Sequence, residues 1–182
     1  MAYGYFRGRS DGDDLIVEHD GGEKRFHFPR RREEPTIAVP DFFRADDDLI
    51  AFLVVTLGDG AAARGQELLG KEGYQDYFLL HGLATEVTDA LAEYGHALMR
   101  HELGIGEKEK LDWQALVTQK YRGSRYAFGY PACPDLAQNA PVMELVGAER
   151  IGVTLTEEHQ MVPEFSTSAI VAHHPKAKYF AV

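Results

Sequence analysis

The residues best suited to chemistry lie in RGSRYAFGYPACPD, positions 122–135. Glycine there allows close backbone approach to a ligand, and a loop of this length and composition is either disordered or shaped around something it binds. Arg125 offers a planar fork that matches a carboxylate bidentately. Tyr126, Phe128 and Tyr130 alternate along the chain and are expected to present a flat face to a heterocycle. On these residues alone a ligand-binding loop and a purely structural one both stay open. Cys133 stands between Ala132 and Pro134 with no His close in sequence. A thiolate nucleophile needs an electropositive neighbour, so packing is its expected role.

Other chemistries fit poorly. The chain has eight His, but His101-Glu102 is followed by Leu103, Gly104 and Ile105, so the zinc-binding HExxH spacing fails at its last position. His96 and His101 are five apart and do not share a helix face. His173 and His174 are adjacent on an expected strand and point to opposite faces. Neither a dedicated metal site nor a metal-dependent hydrolase is expected. Gly58-Asp59-Gly60 lacks the third glycine of a dinucleotide-binding turn, and no phosphate loop of the GxxxxGK[ST] type occurs.

These residues have to be positioned by one domain. The 182 residues carry 19 Lys+Arg against 29 Asp+Glu, a formal charge of −10, with 45% hydrophobic and 26% charged residues. That balance opposes general nucleic-acid binding, which depends on cations neutralising phosphates. The apolar run Leu49–Leu57 is interrupted by Thr56 and falls far short of the ~20 residues of a membrane span. A single cysteine and no export signal at MAYGYFRGRSDGDD lead to the expectation of a soluble protein in a reducing cytoplasm.

Strands are expected at Tyr3–Phe6, at 15–18 and 25–28 around the turn Asp20-Gly21-Gly22, and at 49–57. The charged run 30–34 reads as an ordinary solvated loop. A long helix is expected over 72–103, with Tyr77, Leu80, Leu83, Val87, Leu91, Tyr94 and Leu98 as its core-facing stripe and Gly104 and Gly106 beyond its end. A shorter helix is expected at 113–121 and another from Pro134 through Leu145. The tail reads as strands at 151–155, 168–174 and 178–182. Strands first, helices in the middle and strands last predict an α+β fold, a twisted and mostly antiparallel sheet flanked by one long and several shorter helices.

The stretch from Arg125 through Gly129, Tyr130, Pro131, Ala132, Cys133 and Pro134 resembles the signature Arg-x-x-x-Gly-Tyr-Pro-Ala-Cys-Pro of the activation domain of cobalamin-dependent methionine synthase. The segment 83–100 is similar to that domain's long helix. The segment 155–182 is similar to its closing part, with His-Pro-x-x-x-Tyr at His174, Pro175 and Tyr179. GYFRGRSDGDDLIV near the start resembles its strand pair, so the likeness runs through nearly all of residues 1–182.

The resemblance implies a reactivation role. The domain would bind S-adenosylmethionine, face a separate cobalamin-binding domain, and present the sulfonium methyl to cob(II)alamin as a flavodoxin-type donor supplies one electron. By the same resemblance Arg125 holds the ligand's carboxylate, and Ala127 and Gly129 contact the adenosine through backbone. Tyr130 lies beside it, and Tyr179 approaches the ligand with Phe180 as a second aromatic. Pro131, Ala132 and Cys133, together with 161–166, would lie toward the corrin. Catalysis in such a domain is mainly orientation of methyl against cobalt.

The sequence departs from the pattern in places. Phe180 lacks a tyrosine hydroxyl, and Asp89 and Gln119 stand where members of the resembled family often carry Glu, so contacts to the ligand's ammonium do not carry over directly. The family's domain is longer at its N-terminus, and a helical arm with an acidic ligand contact is expected to be missing. The rival reading is a stand-alone S-adenosylmethionine- or corrinoid-protein-binding module without methyl transfer of its own.

Overall fold

The computed structural model describes residues 1–70, 73–106, 109 and 113–181. Strands β1 (Ala2–Asp11), β2 (Asp14–His19), β3 (Gly22–His27) and β4 (Asp48–Thr56) come first. Helices α1 (Asp59–Leu69), α2 (Tyr74–Glu102) and α3 (Trp113–Val117) follow, then β5 (Ser124–Ala127) and α4 (Asn139–Val146). The chain closes with β6 (Thr154–Leu155), β7 (Met161–Val162) and β8 (Ser166–Ala172). Among the described residues six strands form one sheet in the order β3-β2-β1-β4-β8-β5, and β6 and β7 make a separate ribbon. Every neighbouring pair is antiparallel, as the α+β reading requires.

The β2–β3 hairpin closes through Asp20-Gly21, both at positive φ (45° and 75°), with His19 paired to Gly22. Positive φ at both central residues is the twist-matched turn that an Asp-Gly pair favours. Strand β4 lies in the middle of the sheet and is buried on both faces. Ile50, Phe52 and Val54 join the larger core with Phe26, Tyr126 and Val142. Ala51, Leu53 and Val55 meet Ala92, Met99 and Val171 on the other face. Such double burial accounts for a nearly unbroken apolar run. Each large side chain so buried stabilises the fold by about 1.5–3 kcal/mol.

Helix α2 is where the apolar periodicity misleads. Its buried face is Ala84, Thr88, Ala92, Gly95, His96, Met99 and Arg100. Leu83, Val87 and Tyr94 of the expected stripe are 62%, 43% and 61% exposed, and Tyr77, Leu80, Leu91 and Leu98 are only half-buried, so that stripe runs along the border of the buried face rather than at its centre. Small residues win the inner face because they let the helix backbone come close. A Cβ built on Gly95 would stand 3.1 Å from both Cδ atoms of Leu53. Gly95→Leu is therefore expected to lose about 1–2 kcal/mol on urea unfolding, overpacking outweighing the helix-propensity gain of about 0.8 kcal/mol.

Other boundaries move for local reasons. Helix α1, not expected from the sequence, begins after Gly58 (φ 74°). Asp135 caps a 3-10 turn at Leu136–Gln138 through Ala137 N–H, so the α-helix starts at Asn139 rather than Pro134. Ile151 ends another 3-10 turn, leaving only Thr154–Leu155 of the expected strand at 151–155. Helix α3 stops at Val117, and Gln119 already has φ 47°. Glu72 and Val182, within the expected helix and final strand, lie outside the described residues.

Residues 178–181 form no strand. The chain turns at His174–Ala177, and the tail is held by side chains, Tyr126 Oη donating to the Lys178 carbonyl at 2.8 Å. The charged run 30–34 is more than solvated surface. Arg30 makes a bidentate pair with Asp41 (2.6 and 2.9 Å) and reaches Asp13 at 2.7 Å. No helix among the described residues is long and apolar enough to cross a membrane.

Candidate functional site

The stretch 122–135 begins as a strand, not a loop. Ser124–Ala127 is β5, at the edge of the sheet, with Arg125 opposite Val171 and Ala127 opposite Ala169 on β8. Side chains alternate across a strand. Arg125 and Ala127 consequently share the face that α2 covers, and Ser124 and Tyr126 are buried on the other. The expected aromatic face is thereby divided. Tyr126 and Phe128 are core residues, whereas Tyr130 is 53% exposed.

Gly129 makes that change of side possible. Its φ is 87°, a conformation costly for any side-chain-bearing residue. Gly129 N–H donates to the Cys133 carbonyl and Cys133 N–H to the Tyr130 carbonyl, each at 2.8 Å, so the Tyr-Pro-Ala-Cys turn is closed on itself. Tyr130 projects outward from it.

A pocket of about 210 Å³ lies between this edge of the sheet and α2. Arg125 and Ala127 of β5, Thr167 and Ala169 of β8, and Asp89 and Ala92 of α2 make its walls, and Gln119, Tyr130 and Tyr179 complete it. The three alanines leave the space. Tyr130 and Tyr179, 53% and 44% exposed, make its rim.

Not every residue singled out from the sequence reaches this pocket. Arg125, Ala127, Tyr130 and Tyr179 line it, and Gly129 is exposed between two of them. Phe180 is instead packed against Tyr126 and Phe42, at 5.5 and 6.3 Å between ring centroids. Ala132 and Cys133 are buried and Pro131 is exposed. Burial pushes the Cys133 thiol well above its ordinary range, so it carries no thiolate at neutral pH. Of the segment 161–166, Val162 is exposed and Phe165 buried.

Ala92, Thr167 and Ala169 were not foreseen. Their signal is present in the sequence as small residues at strand spacing on β8 and at i, i+3 from Asp89 on α2, but small residues mark a wall only once the facing element is known.

Behind the pocket is a partly buried polar cluster. Arg125 Nη1 donates to Glu93 Oε2, which also accepts from Tyr121 Oη at 3.0 Å. Arg100, 1% exposed, pairs with Glu109 at 2.9 Å and lies 3.7 Å from Glu93 Oε1. Its guanidinium stands 3.8 Å from the Tyr121 ring centroid. Lys178 Nζ donates to the carbonyls of Gln119 and Tyr121, at 2.6 and 2.9 Å.

His96 is fully buried beside Tyr121, and among the described residues neither ring nitrogen has a hydrogen-bond partner. Burial first, then the charges of Arg100, Arg125 and Lys178, hold its pKa well below the ordinary 6.5. The unfolded chain therefore takes up a proton below pH 6.5 that the folded chain refuses. Its titration adds no pH dependence above that pH and destabilises the fold as pH falls, by about 1.4 kcal/mol per pH unit until its folded pKa is reached. Thermal melts between pH 7 and 5.5 should show this slope, and His96→Leu should flatten it.

Comparisons with known proteins cover the whole chain. Residues 1–182 match the family model described as vitamin B12 dependent methionine synthase, activation domain. The chain is 40% identical over 201 residues to the methionine synthase of Mycobacterium tuberculosis (strain ATCC 25618 / H37Rv), covering 100% of this chain and 17% of that protein. The figures for the methionine synthase of Mycobacterium leprae (strain TN) are the same: 40% over 201 residues, with 100% and 17% covered. The chain thus spans about one sixth of the length of these curated relatives. Among solved structures it is similar to the MetH reactivation domain bound to AdoHcy, with a TM-score of 0.87 and 29% identity, over 98% of this chain and 59% of that one.

Proposed function

We propose that this chain, which belongs to the activation-domain family of vitamin B12-dependent methionine synthases, binds S-adenosylmethionine in the pocket between β5 and α2 and presents its methyl group for reactivation of cobalamin. Bound there, S-adenosylmethionine supplies an activated sulfonium methyl. Its acceptor is cob(II)alamin carried by a separate cobalamin-binding domain, reduced by one electron from a flavodoxin-type donor. After that one-electron reduction the cobalt would supply the electron pair of the new bond to the methyl, while the S–CH3 bond breaks with its own pair kept by sulfur, so S-adenosylhomocysteine would be the product. A cytoplasmic setting accords with this chemistry.

The observation that carries the reading is the convergence of Arg125 and Asp89 on one small pocket. A cation and a carboxylate on the same walls suit the two charges of an α-amino acid head. Arg125 offers the carboxylate its fork, and Asp89 on the α2 wall offers the ammonium an acceptor. Ala127 and the exposed backbone at Gly129 leave room for the adenosine, with Tyr130 and Tyr179 at the rim.

At about 210 Å³ the pocket is smaller than the ~300–1,000 Å³ typical of sites that enclose a ligand of this kind. A ligand anchored at its head there keeps its sulfonium end accessible, which a methyl donor to a second domain requires. Tyr179 at the rim is suited to face the sulfonium as a cation–π partner.

Calorimetric titration of the chain with S-adenosylmethionine tests the reading. One-to-one saturable binding is expected, with S-adenosylhomocysteine competing. Absence of binding by both ligands would overturn it.

A further inference from the structure

Building on that reading of the pocket, we infer that Glu93 is the positioning residue for Arg125: it anchors one side of the guanidinium from behind, so that the other side is held toward the ligand's carboxylate. Glu93 does not line the pocket, and it is itself fixed rather than free. Its Oε2 accepts from both Arg125 Nη1 and Tyr121 Oη, and its Oε1 lies 3.7 Å from Arg100 Nη1. Its side chain is only 16% exposed. Arg125 Nη2, turned toward α2, lies 3.5 Å from the Asp89 carbonyl. An arginine held at two points loses fewer rotamers when a carboxylate arrives.

The charge of the cluster points the same way. Among the described residues it joins three cations, Arg100, Arg125 and Lys178, to two carboxylates, Glu93 and Glu109. His96 adds no charge there, because burial keeps it neutral. One positive charge is left over, and Arg125 is the cation of the cluster that reaches the pocket. Without Glu93 the guanidinium would be freer to turn, and the excess charge would no longer be aimed. Tyr121 serves the same end one step further back, by holding Glu93.

Two ligands separate positioning from general structural damage. S-adenosylhomocysteine carries the amino acid head, whereas 5′-methylthioadenosine has the adenosine and sulfur without it. In Glu93→Gln the affinity for S-adenosylhomocysteine is expected to fall about 10-fold or more, since much of the rotamer restriction of a long cationic side chain is lost. Binding of 5′-methylthioadenosine should change less than twofold. Tyr121→Phe, a milder change, should weaken S-adenosylhomocysteine binding about threefold with the same selectivity, and it carries the test if Glu93→Gln does not fold.

Equal losses for both ligands would reduce Glu93 to a structural part and overturn the inference. Tighter binding of S-adenosylhomocysteine would also overturn it, by showing that Glu93 competes with the ligand carboxylate. If the unaltered chain binds neither S-adenosylhomocysteine nor S-adenosylmethionine, the reading of the pocket has failed and the role of Glu93 falls with it.

Discussion

In Arg125→Ala, S-adenosylmethionine and S-adenosylhomocysteine should both bind at least about 100-fold more weakly than in the unaltered chain, a loss of about 2.7 kcal/mol. A charge-assisted bidentate contact is among the strongest a side chain can make. Alanine cannot replace it, and lysine would restore charge without the fork. The fold should survive. Arg125 is partly exposed, and Glu93 keeps Tyr121 and Arg100 as neighbours after the change. A stability cost of about 1–2 kcal/mol is expected, read as a melting temperature lowered by a few degrees. Because the lost contact is to the amino acid head, 5′-methylthioadenosine should bind this variant as before. Unchanged affinity for S-adenosylhomocysteine would remove Arg125 from the carboxylate site.

The sheet was legible where the pattern of side chains is local. The Asp20-Gly21 turn specifies its hairpin, and the double-faced run of β4 marks a central strand. Helix α2 was legible in extent but not in rotation. Its large apolar residues suggest one face, yet the sheet takes the face of Ala84, Thr88, Ala92 and Gly95, because close approach of helix to sheet favours small side chains over large ones. Periodicity measures where apolar residues lie and is silent about how near the partner comes. The tail shows a related limit. Residues 178–181 are strand-like in composition, but Lys178 is secured by the Tyr126 hydroxyl and by donation from its own ammonium, none of which a strand ladder would use.

The site was legible as a motif before it was legible as a surface. Arg125, Ala127 and Tyr130 could be singled out from their stretch, and Tyr179 from the likeness of the tail to a known one. Their grouping depends on two backbone facts that composition does not carry. One is that Ser124–Ala127 pairs with β8, which puts Arg125 and Ala127 on one face and Tyr126 on the other. The second is the positive φ of Gly129, after which Tyr130 leaves the core side that Tyr126 and Phe128 occupy. Phe180, two residues after the Lys178 anchor, packs against the core for the same kind of reason. Glu93 had no signal of its own, since a carboxylate on a helix normally reads as solvated. Only the fold places two arginines and a tyrosine around it.

Filling the pocket should act on all ligands alike, in contrast with removing the arginine. Ala127 is half-buried on an edge strand, pointing to the α2 side, with Ala92 and Ala169 among the other walls. A leucine at this position enters the space the alanines leave and meets no tightly packed core on its way. Ala127→Leu is therefore expected to weaken binding of S-adenosylmethionine, S-adenosylhomocysteine and 5′-methylthioadenosine together, each by about 5- to 150-fold, since even modest overlap with a packed ligand costs about 1–3 kcal/mol. Stability should change by less than about 1 kcal/mol, because the added apolar surface is covered by the same walls. Calorimetry with the three ligands and a thermal melt measure both halves. If 5′-methylthioadenosine still binds the variant while S-adenosylhomocysteine does not, the adenosine lies away from Ala127 and only the amino acid head occupies the space between β5 and α2. Full retention of all three would move the ligand to another face of the sheet.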